Sequence, residues 1–326
     1  MAKLDVLRIL EDGKGDYVSG EELAAKLGLS RAAVWKSIRA LQEDGYQIES
    51  KQGSGYRLEE TTDALLESKI LEHLHTTRLP VALDLRDTVD STNTQLRAAA
   101  YAGAPEGTVI VADKQTAGKG RLGRSFYSPN RNGVYMSVLL RPNLPFDQIH
   151  FLTMLAAVCV VEAVRTVAGV EAQIKWVNDV LVDGKKLCGI LNEAAVEGES
   201  GRLGFVVMGI GVNVGTTSDF PEMQRNTPGA LRDYSSVPFS RCRLIAQILN
   251  NLDRYYYPYI ETRDSAAFLD TYRRALCLVG RQVTVTRGDE SYPALVTGLS
   301  DSGGLLVRAN DGRTLELTSG EVSIRM

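Results

Sequence analysis

The chain has 326 residues, 44% of them apolar, and its 37 lysines and arginines against 40 aspartates and glutamates leave a net charge of -3. At roughly 100–200 residues per domain this length carries two or three domains with sizeable cores, and the composition excludes a disordered or fibrous protein. The charge balance also excludes a uniformly basic nucleic-acid coat, so any site for a polyanion must be local.

Residues 1–60 read as a unit of their own. Ser19-Gly-Glu-Glu22 has the form of a capping box and opens a helix over Glu21–Leu27 that Gly28 stops. Ser30 caps a second helix, Arg31–Asp44, stopped by Gly45. Val34, Ile38 and Leu41 fall on one face of it, with Arg31, Trp35, Lys36, Arg39 and Gln42 elsewhere on the cylinder. Residues 46–50 and 56–58, around the turn 51–55, read as a hairpin, and two short helices followed by a hairpin make a winged helix-turn-helix. Five cations (Arg31, Lys36, Arg39, Lys51, Arg57) belong to the second helix or the wing, against three acids in the same stretch. Phosphate contact needs that placement, which favours DNA over a small protein-interaction module. Trp35 is open between core packing and DNA contact.

Thr61–Ser68 is polar and reads as a linker. Strands follow over 81–86, 108–112, 133–140, 173–176, 186–195 and 205–214, with helices over 93–101, 147–168, 241–256 and 265–275. Several strands succeed one another without a helix between them, the pattern of a mixed α+β sheet. In the last fifty residues five short strands, 282–287, 291–299, 304–309, 313–317 and 321–325, alternate with Gly- or Asp-rich turns and predict a small β-barrel. The expected domains are 1–61, 62–276 and 277–326.

Four cysteines (Cys159, Cys188, Cys242, Cys277) stand at irregular spacings with no C-x-x-C, so neither a disulfide framework nor a zinc knot is expected. The N-terminal residues lack the apolar stretch of a signal peptide, and no run is read as approaching the ~18 apolar residues of a membrane span, which predicts a soluble cytoplasmic protein. With three histidines (His73, His75, His150), metal-centred or histidine-based nucleophilic chemistry has little to build on.

The strongest chemical signal is Gln115-Thr-Ala-Gly-Lys-Gly-Arg-Leu-Gly-Arg124. Six cations (Lys114, Lys119, Arg121, Arg124, Arg131, Arg141) and no acid lie between Lys114 and Phe146. Glycines let backbone N–H groups approach an anion and the cations focus a positive potential, so a phosphate-bearing small molecule is the natural guest. Gly118, Gly120 and Gly123 satisfy G-x-G-x-x-G, yet loop residues rather than a helix follow and no acid appears before Asp147, so the dinucleotide-binding context fails. No P-loop motif exists either. Asn178, Asp179 and Lys186 come together if 175–179 and 183–186 form a hairpin, a set able to face a divalent cation and a phosphate oxygen. Asp90-Ser-Thr-Asn93 is a helix N-terminus rich in polar groups, which by itself reads as a plain cap.

Together, Asp90-Ser-Thr-Asn93, Gln115 with the loop to Arg124, Lys175-Trp-Val-Asn-Asp179, Lys186-Leu-Cys-Gly-Ile190 and Gly209-Ile-Gly-Val-Asn213 resemble, in order and spacing, the bifunctional biotin protein ligases that also repress the biotin operon. The resemblance covers the whole chain. It implies a winged helix-turn-helix, a central mixed-sheet ligase domain of class II synthetase type and a C-terminal SH3-like barrel. It places biotin against Ser91, Thr92, Asn93, Gln115, Lys119, Gly120, Arg121 and Lys186, and ATP against Arg124, Phe126, Lys175, Asn178 and Asn213. Lys186, Arg121 and Asp179 would be catalytic, Asp179 also a candidate Mg2+ ligand, and Arg31, Lys36 and Arg39 would touch DNA. Lys119 stands where the family has arginine, Val177 where it has proline and Phe126 where tryptophan is more usual. The implied co-substrates are biotin and MgATP, with no tightly bound cofactor. The implied partners are biotin carboxyl carrier domains of acetyl-CoA carboxylase or pyruvate carboxylase type, operator DNA, and a second copy of the chain once biotinyl-5′-AMP is bound, with no membrane. The competing readings are a DNA-binding regulator that only senses a small molecule, and a lipoate ligase.

Overall fold

The computed structural model describes residues 2–43, 45–60, 62–197, 201–221, 228–287, 290–318 and 321–324. Asp44 at the expected end of the second helix, Thr61 of the linker and Arg325 of the last strand lie outside the described residues. The chain divides into two compact units, Met1–Leu66 and Glu67–Met326.

In the first unit α1 (Ala2–Asp12), α2 (Gly20–Leu27) and α3 (Arg31–Glu43) precede a hairpin of β1 (Ile48–Lys51) and β2 (Gly55–Leu58). The Ser19 side chain accepts from the Glu22 N–H, Gly28 closes α2 with φ 64°, and Ser30 Oγ accepts from the Ala33 N–H, so the expected start and stop signals operate. Helix α1 has no counterpart in the sequence reading. It contributes Val6, Leu7 and Leu10 to a core shared with Leu23, Val34, Ile38, Leu41 and Leu58. Ala64 and Leu66 join that core, so the segment read as a polar linker is tied to the first unit almost to its end.

The second unit opens with α4 (Glu67–Leu71), β3 (Ala82–Val89), α5 (Thr92–Tyr101), β4 (Thr108–Gln115), β5 (Gly133–Leu140) and α6 (Ile149–Ala168). It continues through β6 (Gln173–Lys175), β7 (Asp179–Val182), β8 (Lys185–Glu197), β9 (Arg202–Asn213), α7 (Arg241–Thr262) and α8 (Ala266–Ala275). Seven strands make one sheet in the order β3-β4-β5-β9-β8-β7-β6, parallel only between β3 and β4, which is the mixed α+β architecture expected. All eight residues of β5 are buried, so both faces of the sheet are covered. Leu96 and Ala100 of α5 pack on Ile110, Leu139 and Val207.

Residues Phe146–Ala168 are, by length and composition, enough to cross a membrane, contrary to the reading that no run comes close. Of the apolar window, 78% is buried inside the protein, the burial of a core helix. Helix α7 runs to Thr262 through Pro258 rather than ending at Tyr256. The penalty of an internal proline is outweighed by Tyr259, which is buried against Phe151 and Phe268 with ring centroids 5.7 and 5.4 Å away.

Five C-terminal strands, β10 (Gln282–Arg287), β11 (Glu290–Leu299), β12 (Leu305–Ala309), β13 (Thr314–Leu317) and β14 (Glu321–Ile324), pair antiparallel in the order β13-β12-β11-β10-β14. This sheet is compatible with the small barrel expected. Its turn between β11 and β12 touches the rest of the unit: Trp176 Nε1 donates to Gly303 O at 3.1 Å, His150 Nε2 lies 2.8 Å from Ser302 O, and Arg273 pairs with Asp301 at 2.5 Å. The four cysteines are buried free thiols.

Candidate active site

Residues directly opposite in neighbouring antiparallel strands share a face. Along β5, β9 and β8 one such row is Tyr135, Gly211 and Gly189, and the next is Ser137, Gly209 and Leu191. Three glycines in adjacent positions leave a recess in the sheet, and its neighbours fill it so closely that no side chain fits. A Cβ on Gly209 would stand 2.1 Å from Asn93 Oδ1, and one on Gly211 would stand 2.6 Å from the Phe126 ring.

The recess is walled at one end by the start of α5. Ser91 is the N-cap residue, but its side chain makes no capping bond and is buried, so the plain-cap reading of Asp90–Asn93 fails. The orphan Thr92 N–H instead donates to Gln115 Oε1 at 2.9 Å, while Gln115 Nε2 donates to Ser128 Oγ at 2.8 Å. Asn93 accepts from Ser137 Oγ at 2.6 Å and donates to Glu193 Oε2 at 2.8 Å. Asp90 is held below the usual carboxylate range, first by the Gln95 side chain and then by the Ser91 N–H, with Lys119 adding its charge.

The other wall is the loop from Gln115 to Gly133. The Thr116 and Ala117 N–H groups bond Val89 O and Asp90 O, and Phe126 N bonds Gly118 O. A Cβ on Gly118 would lie 2.4 Å from Phe126 O, which is why glycine stands there. The loop turns through Leu122 and Gly123, both at positive φ. Arg121 reaches across the opening and donates to Asn178 Oδ1 at 2.8 Å. Asn178, in the turn between β6 and β7, donates to Ile190 O, and Asp179 pairs with Lys186 at 2.6 Å. Asn178, Asp179 and Lys186 therefore meet as expected, although a separate strand, β7, intervenes. Burial raises the Tyr135 phenol above its usual range; its hydroxyl donates to Pro129 O.

The resulting cleft is narrow and open to solvent, with a cavity volume of about 50 Å³. Ser91, Thr92, Asn93, Gln115, Lys119, Gly120, Arg121, Phe126, Asn178 and Lys186 line it. Arg124, Lys175, Asp179 and Asn213 are not among the lining residues. Asn213 donates its amide to Lys186 O and Gly229 O, and Asp179 stands behind Lys186. Sequence reasoning missed Tyr135, Met136, Gly189, Leu191, Gly209 and Gly211 as lining. The spacing Gly209-x-Gly211 was a signal for them, since alternate residues of a strand share a face. Among the described residues no group of three or more Asp, Glu, His or Cys side chains could hold a metal ion.

In the first unit Arg31, Lys36 and Arg39 are exposed on the outer side of α3, while Val34, Ser37, Ile38 and Leu41 are buried beneath. Trp35 is not a core residue: it is 56% exposed, with the Arg39 guanidinium 5.7 Å from its ring centre. Arg57 of the wing pairs with Glu49 at 2.5 Å, so its charge is locally compensated.

Family models match all three regions. Residues 85–213 match the biotin/lipoate A/B protein ligase family, 3–57 a helix-turn-helix domain and 278–325 the biotin protein ligase C-terminal domain. The chain is 35% identical to the bifunctional ligase/repressor BirA of Bacillus spizizenii, over 94% of each chain. It is 28% identical to that of Escherichia coli, over 95% of this chain and 94% of the other. The structure of a biotin protein ligase from Aquifex aeolicus in complex with biotin and ATP superposes with a TM-score of 0.64 at 29% identity, covering 74% of this chain and 98% of that one. With its helix-turn-helix, its ligase region and its C-terminal domain all matched, the chain belongs to the family of bifunctional biotin protein ligase/repressors.

Proposed function

We propose that this chain activates biotin with MgATP to biotinyl-5′-AMP, passes the biotinyl group to a lysine of a carrier domain, and represses transcription with the adenylate as corepressor. The observation that carries the reading is a single cleft in which Lys119, Arg121 and Lys186 converge on the polar cluster Ser91, Thr92, Asn93 and Gln115 over a floor of glycines. A carboxylate and a triphosphate repel each other, and fixed cations with oriented N–H groups bring them together and stabilise charge on the α-phosphorus.

Ser91, Thr92, Asn93 and Gln115 are assigned to the ureido ring. Lys119, the Gly120 backbone, Arg121 and Lys186 are assigned to the biotin carboxylate and the phosphate. The biotin carboxylate oxygen attacks the α-phosphorus and pyrophosphate leaves. The ε-amine of the carrier lysine then attacks the mixed anhydride and AMP leaves, with Asp179 taking the amine's proton. Mg2+ arrives with ATP on its phosphate oxygens, while Asp179 stays paired with Lys186 through adenylate formation. Phe126 is assigned to the adenine, Asn178 to the nucleotide, and Arg124 and Lys175 to its phosphates. Asn213 is assigned to act through Lys186, whose carbonyl it bonds.

Carrier domains of carboxylases are the proposed acceptors and the cytoplasm the proposed compartment. For repression two copies pair through β8. Its Gly189 is already bonded between β7 and β9, but from Leu191 onward β8 pairs with β9 alone, leaving an edge for a twin strand. Biotin-dependent exchange of labelled pyrophosphate into ATP tests the reading. Exchange with biotin but not with lipoate is expected. DNA binding without any exchange would make the second unit a sensor, and exchange with lipoate alone would make it a lipoate ligase.

A further inference from the structure

Trp35 is a tryptophan with more than half its surface exposed in the middle of an otherwise amphipathic helix. Its four helical neighbours toward the core, Val34, Ser37, Ile38 and Leu41, are buried, so the indole is not needed to close that core. The exposed face it shares carries Arg31, Lys36 and Arg39 and no acid before Glu43. An acidic protein surface and a nucleic acid both complement three cations. A second helix of a helix-turn-helix, however, enters the major groove, where the one apolar feature on a base edge is the thymine 5-methyl group. The indole offers a flat apolar surface there, and Arg39 beside its ring fixes one side of it.

We propose that Trp35 is a specificity-determining residue that reads thymine methyl groups in the major groove, while Arg31, Lys36 and Arg39 hold the helix there. This rests on the DNA-binding part of the proposed function. The probe is duplex DNA recovered by in-vitro selection from random sequence with the full chain, biotin and MgATP. Each thymine of the recovered site is then replaced by uracil, which removes only the methyl group. For the unaltered protein, at least one uracil per half-site should weaken binding about fourfold, the worth of one buried methyl. The same uracil should leave Trp35→Ala binding unchanged and Trp35→Phe binding partly sensitive. Circular dichroism checks that both variants keep the fold, as expected for an exposed position.

If uracil weakens the unaltered protein and Trp35→Ala by the same factor, or neither, the assignment is overturned. It is equally overturned if Trp35→Ala lowers affinity for selected and random duplexes by one common factor, which is the mark of a backbone contact. It is overturned too if Trp35→Ala binds DNA normally, which would turn the indole toward a protein partner. Recovery of no DNA at all would instead remove the DNA-binding reading itself, and this proposal with it.

Discussion

Replacing Lys186 with alanine should disable adenylate formation while leaving the fold intact. Its ammonium stands 2.6 Å from Asp179, and its side chain is 24% exposed. Two unit charges about 4 Å apart interact by roughly 1 kcal/mol in water and roughly 4 kcal/mol at an effective dielectric near 20. A three-quarters-buried ammonium beside two reacting anions belongs toward the upper figure. That agrees with the ~2.7–4 kcal/mol lost when one donor to a developing oxyanion is removed, about a hundred- to a thousandfold in rate. The substitution also strands the Asp179 carboxylate, which then repels the incoming phosphates. The double variant Lys186→Ala with Asp179→Asn should therefore recover roughly tenfold of the loss, since residues in contact do not act additively. Pyrophosphate exchange isolates the first half-reaction, so any role of Asp179 toward the carrier amine does not enter. A Lys186→Ala rate within threefold of the parent would refute the assignment. A double variant no faster than the single would refute the account of the pair.

Gly209→Ala should displace Asn93, which is bonded to Ser137 and Glu193, and lower both thermal stability, by about 1–3 kcal/mol, and biotin affinity measured by calorimetry; unaltered biotin binding would count against Asn93 as a ligand. A chain starting at Glu67 should lose DNA binding in a mobility-shift assay yet keep pyrophosphate exchange, because the first unit's core runs to Leu66. Burial opposes ionisation of Asp253, but N–H donors from Thr77, Leu79 and Arg78 outweigh it, and its carboxyl titrates below the usual value. Its contribution is complete above the unfolded value near ~4 and lost as pH falls through the folded one. Acid should therefore cost the parent more stability than Asp253→Asn in denaturant titrations, and parallel profiles would contradict this. Sedimentation with and without biotinyl-5′-AMP should show the ligand shifting monomer toward dimer, and an unmoved equilibrium would reject pairing through β8 as the switch.

The elements that sequence reveals are those with strong local signals. Ser19, Gly28 and Ser30 mark their helix ends because capping is a short-range bond. Strand β7 has only four residues and α1 is fixed by Val6, Leu7 and Leu10 in the first unit's core, so both are held by packing that local sequence does not encode. The cations Lys119, Arg121 and Lys186 and the polar groups of Ser91–Asn93 reach the cleft as expected. The glycine floor was hidden because it depends on cross-strand register: Gly189, Gly209 and Gly211 become neighbours only once β8 lies against β9. Asn213 sits in a landmark segment, yet its amide faces two carbonyls instead of the opening.

The contacts of Trp176 and His150 with the turn between β11 and β12 have a dynamic consequence. Trp176 lies two residues before Asn178, and Tyr272 holds Val177 O between them. The turn that presents Asn178 to Arg121 cannot open without releasing the C-terminal sheet, or the reverse. The two then form one cooperative unfolding unit, and their amides should exchange hydrogen with a common opening free energy while the surrounding loops exchange faster.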